Sequence, residues 1–351
     1  MTNGDGSGPL FYDCHIHLVG NGLAGSGCWM RLSGHHRLLG EVMRRAAGLP
    51  VVVTDPEFDA VYEKLLADRL RDSRIDRALL LAQDEVYGED GTKREFGSFH
   101  VPNDHLFDVC RRHPDFLPAV SIHPARRDAL DELERCLGLG ARALKLLPNC
   151  HGVDCSARRH DAFWERMAEA GLPMLAHTGG EMTVPVVDRA FENPEVLRRP
   201  LEIGVVVIAA HCASSSGFFS RDYFDTLVRM MERFPNLYAD SSALNTPFRS
   251  KVIGRVLESG VHDRVLHGSD HPVPVGAWYA WLRGRIDSGA RRRAAAEANP
   301  IERDYLLKRA MGFGDAHFTR LGGVLRAVSS MDQPPGRENQ EPMSGQDVLE
   351  I

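Results

Sequence analysis

The stretch FYDCHIHLVG, residues 11–20, is a short apolar run in which two histidines stand one residue apart. In a β-strand, side chains at positions i and i+2 point to the same face. His15 and His17 would therefore direct two imidazole groups at one point near the end of the strand. The run predicts a buried first strand whose last residues carry chemistry.

Seven further runs, rich in Val, Leu, Ile and Ala, resemble the first. From the fourth run onward they recur at intervals of roughly 30 residues, the length of a β–α unit. The seven are RALLLAQ (77–83), FLPAVSIHP (116–124), ARALKLLPN (141–149), PMLAHTG (173–179), GVVVIAAHC (204–212), LYADSSA (237–243) and RVLHGSDHP (264–272). Near-continuous apolar character is typical of parallel strands covered on both faces. Because the segments between the runs have helical periodicity, the sequence predicts an α/β fold, a (β/α)8 TIM barrel.

An open, doubly wound sheet is the alternative to a closed barrel. Such a sheet usually carries a glycine-rich phosphate-binding turn after its first strand. The glycines of residues 20–27, GNGLAGSG, do not open a helix at GxGxxG spacing. We therefore interpret this stretch as a loop and expect the barrel.

The predicted boundaries divide the chain into a flexible N-terminus (1–9), one barrel domain (10–328) and a tail (329–351). The tail is polar and rich in Pro, Gly, Gln and Glu, a composition typical of disorder. Long insertions follow the first strand (19–56) and the second (84–102). Because both leave the carboxyl ends of strands, we expect them to cover the active-site face as lids.

Composition excludes several classes of protein. The chain has 351 residues, 43% of them hydrophobic, and a formal net charge of −6, so nothing in it calls for a nucleic-acid or membrane partner. No stretch reaches the roughly 18 to 20 apolar residues of a membrane span. MTNGDGSGPL at the start lacks the basic and apolar regions of a secretory signal.

Seven cysteines without paired spacing favour reduced thiols and a cytoplasmic location. The expected partner is a small-molecule substrate, and homodimer formation is left open.

Residues that can bind metal ions stand near the carboxyl ends of five of these runs. Taken alone, a histidine at a strand end is usually a hydrogen-bonded residue of the core or rim. Closure of a barrel, however, brings the strand ends close to one axis, so we expect them to form one site. The residues are His15 and His17 on the first run, Lys145 on the fourth, His177 on the fifth, His211 on the sixth and Asp270 on the eighth.

Imidazole and carboxylate ligands favour a divalent transition metal, Zn first and Mn, Fe or Ni as alternatives, over Ca or Mg. Three or four protein ligands would leave one position for a water molecule. The metal would lower the pKa of that water from about 15.7 towards about 7. Asp270 could both bind the metal and accept a proton from the water. A structural zinc site suits this set less well, because such sites are usually enclosed by cysteines.

The same residues resemble a known family. DCHIH, LAHTGGE, AAHC and HGSDHP occur in the order seen in the amidohydrolase superfamily, specifically its amidohydrolase-related family of TIM-barrel metal-dependent hydrolases and decarboxylases. The resemblance covers about residues 11–312. In mononuclear, decarboxylase-like members, the equivalents of His15, His17, His177 and Asp270 hold one metal. The equivalent of His211 then acts as an acid or base or polarises the substrate, so the resemblance implies that Asp270 and His211 are catalytic.

Binuclear members of the superfamily differ at the fourth strand. There a carboxylated lysine bridges two metals, which implies a bridging role for Lys145 and places His177 and His211 on the second metal. One metal is therefore expected at least, and two if Lys145 is carboxylated. An unmodified Lys145 would instead bind an anionic substrate group or pair with a carboxylate such as Glu181.

The reaction is open between two chemistries. In a hydrolase, the activated water would attack a small carbonyl compound such as a cyclic ester, lactone or amide. In a non-oxidative decarboxylase of an unsaturated or aromatic carboxylic acid, an arginine such as Arg249 would hold the substrate carboxylate. A non-catalytic metal-binding barrel is the third alternative. We favour the hydrolase, and the residues expected to bind substrate are Glu181, His151, Arg249 and His271.

Overall fold

A computed structural model describes residues 8–218 and 220–329, with side chains described as far as residue 325. Most of the predicted N-terminus (1–9) and all but the first residue of the predicted tail (329–351) lie outside these ranges, so both remain predictions. Ten strands form: β1 (Tyr12–His17), β2 (Trp29–Met30), β3 (Arg77–Leu81), β4 (Phe99–His100), β5 (Phe116–Val120), β6 (Ala143–Leu146), β7 (Met174–Ala176), β8 (Val207–Ala209), β9 (Leu237–Asp240) and β10 (Val265–Leu266).

Eight of these strands make one parallel sheet in the order β1-β3-β5-β6-β7-β8-β9-β10. Each of the eight predicted runs contains one of them, so the strand prediction is confirmed. The helices between and after the strands are α1 (Gly34–Ala46), α2 (Phe58–Arg71), α3 (Asn103–Arg112), α4 (Ala129–Gly138), α5 (Pro148–His151), α6 (Asp161–Glu169), α7 (Arg198–Ile203), α8 (Phe224–Arg233), α9 (Ile253–Glu258), α10 (Ala277–Leu282), α11 (Ser288–Ala296), α12 (Pro300–Ala310) and α13 (Asp315–Ser329).

The first and last strands of the sheet meet and nearly close it. The backbone N–H of Cys14 donates to the carbonyl of His267 at 2.9 Å. Beyond the end of β10, the N–H of Asp270 donates to the carbonyl of His15 at 2.8 Å, and that of His17 to the carbonyl of His271 at 2.9 Å. The closing hydrogen bonds therefore join the two segments that carry the predicted metal ligands, and the predicted (β/α)8 TIM barrel is confirmed.

Side chains alternate between two cores along the strands, as the pleat requires. Leu80, Leu144 and Ala176 pack outward in the core beneath the helices. Their neighbours Leu79 and Leu175 pack inside the barrel, where α13 also contributes Leu321, Val324 and Leu325. Residues at the carboxyl ends inherit this alternation, so a polar side chain one position after an outward-facing residue points to the barrel axis.

Strand β1 departs from this regular pattern. Its pairing with β3 changes register between Asp13 and Ile16. Before the shift, Tyr12 and Cys14 pack with the inner core, whereas after it Ile16 packs with the outer core. An irregularity of this kind re-aims the residues that follow. Regular alternation would turn His15 outward, because its neighbour Cys14 faces the barrel interior. The register shift instead lets both His15 and His17 face the interior.

The two insertions lie beside one another. The first contains β2 and α1, the second contains β4, and β2 pairs with β4 in a separate antiparallel sheet. Movement of these segments as lids stays a prediction. All seven cysteines lie among the described residues, and each has a free thiol. No helix in the described part of the chain is long and apolar enough to cross a membrane.

Trp164 of α6 is the largest side chain that the fold buries completely, and its Nε1–H donates to the carbonyl of Cys155 at 3.2 Å. We expect Trp164→Ala to lower the free energy of unfolding by about 3–5 kcal/mol, because it leaves a cavity and an unpaired carbonyl. Trp278, which is 53% exposed, provides the matched control, and its replacement by alanine should cost less than about 1 kcal/mol. Urea unfolding followed by circular dichroism measures both, and equal midpoints for the two variants would contradict the packing described here.

Candidate metal centre

Three predicted ligands place one atom each at the corners of a small triangle. His15 Nε2 and His17 Nε2 lie 3.2 Å apart. Asp270 Oδ1 lies 3.2 Å from each of these nitrogens. His15 and Asp270 are buried, and His17 is half-buried at the barrel mouth. The closing strands of the barrel thus bring two imidazoles and a carboxylate to one point.

The size of this triangle fits a metal ion. Ligand atoms about 2.0–2.1 Å from a tetrahedral zinc are about 3.3 Å from one another, and the observed 3.2 Å is close to that value. A single hydrogen atom could satisfy only one of the triangle's three contacts, whereas a cation between the three atoms satisfies all of them. Asp270 adopts a left-handed backbone conformation with φ of 66°. Because such strain is held only where the surrounding structure enforces it, the position of this carboxylate is built into the fold.

Asp240, the last residue of β9, fixes the orientation of two histidines. Its Oδ2 accepts the Nδ1–H of His15 at 2.8 Å, and its Oδ1 accepts the backbone N–H of His211 at 2.7 Å. The hydroxyl of Ser242 also donates to Oδ1. With its proton held on Nδ1, His15 presents the lone pair of Nε2 to the triangle. This carboxylate–histidine arrangement is the usual support of a metal ligand.

His211 lies on a strained turn after β8. His211, Cys212 and Ala213 all have positive φ, at 58°, 50° and 52°. The Nδ1 of His211 donates to the hydroxyl of Ser242 at 2.8 Å, which leaves Nε2 without a proton and, among the described residues, without a hydrogen-bond partner. Burial holds the pKa of His211 well below its usual value. This neutral imidazole can accept a proton or bind a metal, and its ring centroid lies 5.1 Å from that of His15.

Lys145 of β6 reaches the same point from the opposite wall. Its Nζ lies 3.1 Å from His15 Nε2 and is buried. Burial lowers the pKa of Lys145, although the charges of Asp270 and Asp240 oppose this effect. The alternative in which Lys145 pairs with Glu181 is not what the structure shows, because the hydrogen-bond partner of Nζ is His15. The amine is thus within reach of any metal held by the triangle.

His177, after β7, forms the far edge of the site. Its ring centroid lies 4.9 Å from that of His211, and its Nε2 is buried without a hydrogen-bond partner among the described residues. Glu181 Oε2 is 3.4 Å from this nitrogen. Burial lowers the pKa of His177. Burial alone would raise the pKa of Glu181, but the nearby His177 and Arg249 and hydrogen bonds from Thr183 lower it below its usual value. The orphaned nitrogen of His177 is the kind of atom that a metal or substrate group satisfies.

The other predicted substrate contacts are buried away from the centre. Arg249 donates to the backbone carbonyls of Gly180 at 2.7 Å and Ser214 at 3.0 Å, so it ties two loops together. His151 pairs through Nε2 with Gln83 at 2.8 Å. His271 stacks on Tyr62, with ring centroids 6.3 Å apart, and burial lowers its pKa to about 3. None of the three lines the cavity described below, so their contact with substrate stays a prediction that this geometry does not favour.

A cavity opens beside the triangle. Among the predicted residues, His17, Lys145, His177, Glu181, His211 and Asp270 line it. The remaining wall comes largely from the first insertion and from α2. The metal-competent groups therefore share one cavity with apolar side chains, a combination typical of small-molecule sites.

Sequence reasoning missed two carboxylates of this centre. One is Asp240; the other is Asp13, whose side chain accepts the backbone N–H groups of His15 at 2.9 Å and Ser269 at 3.0 Å. Burial raises the pKa of Asp13 to about 7. A signal for Asp240 was present, because LYADSSA ends its strand on an acidic residue as the other site strands end on histidines. Asp13 carried no such signal, since it precedes the register shift in β1.

Comparisons with known proteins agree with this architecture. The family model described as Amidohydrolase matches residues 12–302. No curated protein sequence matches the chain. Among solved structures, an uncharacterised TIM-barrel protein from Bordetella bronchiseptica is 17% identical with a TM-score of 0.57, and the match covers 91% of this chain and 99% of that one.

Two further solved structures resemble the chain at a similar level. A proposed 2-pyrone-4,6-dicarboxylic acid hydrolase from Pseudomonas putida is 14% identical, with a TM-score of 0.52 and coverage of 93% of this chain and 100% of that one. The IDCase of Metarhizium anisopliae, solved in its apo form, is 12% identical, with a TM-score of 0.53 and coverage of 93% and 98%. At these identities the likeness concerns the fold.

We expect Asp240→Asn to weaken binding of a divalent transition metal by about 10–100-fold, because His15 loses the carboxylate that holds its Nδ1 proton. Competition with a chromogenic chelator measures the affinity for added Zn²⁺. Asp131→Asn, on the exposed face of α4, is the control and should bind as the parent protein does. Equal affinities of the two variants, both folded by circular dichroism, would show that Asp240 does not support a metal ligand.

Proposed function

Because this chain belongs to the amidohydrolase family, we propose that it is a metal-dependent hydrolase that uses an activated water to cleave a small carbonyl compound such as a cyclic ester, lactone or amide. The observation that carries the proposal is the triangle formed by His15, His17 and Asp270 at the end of a cavity. Members of this family typically bind a divalent metal. The donor set, two nitrogens and one oxygen, suits zinc, with Mn, Fe or Ni as alternatives.

The residues of the chain have separable roles in this proposal. His15, His17 and Asp270, with His177 as the fourth predicted ligand, would hold the metal, which when bound lowers the pKa of a water and polarises the substrate carbonyl. Asp270 Oδ2 faces His211 Nδ1 at 3.9 Å and not the triangle. We assign this second oxygen the role of accepting the proton of the attacking water and returning it to the leaving group. The unprotonated Nε2 of His211 can accept a hydrogen bond from the same water.

The hydrogen bonds made by two arginines favour hydrolysis over decarboxylation. In the decarboxylase considered above, an arginine would hold the carboxylate of the substrate, and Arg249 was the candidate. In the structure, Arg249 donates to backbone carbonyls instead. Arg44, which does line the cavity, is held by Glu41 through two contacts of 2.7 Å. Because neither guanidinium is free to bind a substrate carboxylate, decarboxylation is the less favoured of the two reactions, and we keep it as the alternative.

We expect the purified protein to contain a divalent transition metal and to lose hydrolysis of a panel of lactones, esters and amides when a chelator removes it. Asp270→Asn should lower kcat at least about 100-fold, because the proton acceptor is lost. Elemental analysis and initial rates measure these effects. Carbon dioxide release from aromatic acids, with no hydrolysis, would favour the decarboxylase. Metal binding without any turnover would favour the non-catalytic barrel, and absence of metal would contradict both enzymes.

Lys145→Ala separates one-metal from two-metal models. If Lys145 is carboxylated and bridges two ions, the variant should bind one metal fewer per chain. If the amine is unmodified, the number of metal ions bound per chain should stay the same, and the affinity for the metal should change little. Elemental analysis of metal-reconstituted protein in bicarbonate buffer gives the ratio, and intact mass under native conditions detects the added carboxyl group directly.

A further inference from the structure

The cavity also indicates what kind of substrate the site takes. Resting on the proposed function, we propose that the substrate is an uncharged ester, lactone or amide that carries an extended apolar group, either a short alkyl chain or an aromatic ring. The apolar group lies under α1, and the carbonyl lies at the triangle of His15, His17 and Asp270. Three observations support this proposal. They are the apolar side chains that α1 turns to the cavity, the apolar character of the remaining lining, and the contacts that the charged side chains already make.

Helix α1 turns the apolar side chains of Leu39 and Met43 to the cavity. They belong to one helical face with i, i+3, i+4, i+7 spacing, whose other members that line the cavity are His36, Gly40 and Arg44. Leu39 and Met43 are half-buried there, whereas Leu38 on the outer face is 68% exposed. No side chain of α1 is fully buried. The helix therefore has no complete apolar core of its own, and its packing partner on this side is the cavity.

The cavity lining outside α1 is also largely apolar. It includes residues of α2 and β4 and of the segments that follow β6, β7 and β10. The side chains concerned are Phe58, Tyr62, Phe99, Leu147, Val184 and Pro272. Aliphatic and aromatic lining favours a hydrocarbon group in the cavity, because removal of methylenes from water stabilises the complex.

Charged groups that line the cavity are either paired or lie at the triangle. Arg44 bonds to Glu41 and to the carbonyl of Leu49. Lys145 lies at the triangle, with Nζ 3.1 Å from His15 Nε2, so it is near the reacting carbonyl and not near the far end of a substrate. Glu181 accepts hydrogen bonds from its own loop, including one of 2.6 Å from the Thr183 hydroxyl. A substrate with a carboxylate remote from the carbonyl would therefore bury that charge without a partner among the described residues, which is costly. Neutral substrates avoid this cost.

Binding of a homologous series of alkyl hydroxamates to the zinc-reconstituted full chain tests the proposal. The hydroxamate group chelates the metal, and the alkyl tail reports on the cavity. From acetohydroxamate to hexanohydroxamate we expect Kd to fall about fourfold for each added methylene. A hydroxamate of the same length that ends in a carboxylate should bind no more tightly than acetohydroxamate. Isothermal titration calorimetry measures both series.

A pair of neighbouring variants locates the tail. Leu39→Asn should remove most of the gain with chain length, whereas Leu38→Asn, one residue away on the exposed face, should keep it. Equal chain-length dependence in the two variants, or tighter binding of the carboxylate-ended probe, would overturn the proposal.

Hexanamide does not chelate metal ions. It therefore distinguishes a wrong prediction of the apolar substrate group from a wrong prediction of the metal centre. If acetohydroxamate does not bind because no metal is held, hexanamide should still raise the Tm of the parent and the Leu38→Asn variant but not of Leu39→Asn. If hexanamide has no such effect while acetohydroxamate binds, the metal centre stands and the apolar substrate is refuted.

Discussion

One carboxylate organises the centre of this protein. Asp240 accepts hydrogen bonds from His15 Nδ1, from the backbone of His211 and from Ser242, and it thereby joins the first strand to the ends of β8 and β9. The bond to Nδ1 of His15 leaves its Nε2 without a proton, and the Ser242 hydroxyl that donates to Asp240 accepts the Nδ1–H of His211. A metal ion binds only the unprotonated nitrogen. Asp240 therefore determines which nitrogens can bind a metal, although it is not itself part of the triangle.

Much of this arrangement follows from regular alternation in parallel strands, and this explains why the sequence predicted it. Lys145 comes one residue after outward-facing Leu144, and His177 one residue after Ala176, so both must point to the axis. Buried strands read as continuous apolar runs, and a polar residue at the end of such a run is conspicuous. Eight runs and their ends were sufficient to predict the barrel and to bring six metal-competent residues to its carboxyl face.

The features that escaped prediction depend on contacts between residues far apart in the chain. The register shift in β1 and the left-handed turn at His211 are local strains that other strands hold in place. Arg249 has the same sequence context whether it binds a substrate carboxylate or two backbone carbonyls, because the choice depends on where Gly180 and Ser214 come to lie. His271 likewise stands beside Asp270 in the chain but turns to Tyr62 and away from the cavity.

The packing of the first insertion depends on whether the cavity contains a ligand. A helix whose apolar face covers a cavity gains little from packing until something apolar fills that space, because the hydrophobic effect depends on area removed from water. A ligand that contacts Leu39 and Met43 would complete the packing of α1 and stabilise the folded chain, and a tighter ligand would stabilise it more. The candidate metal centre is held differently, by barrel-closing backbone hydrogen bonds and a buried carboxylate. In the proposed function, this centre would keep the reacting carbonyl in one position, while the apolar lining would accept substrates that differ in their apolar group.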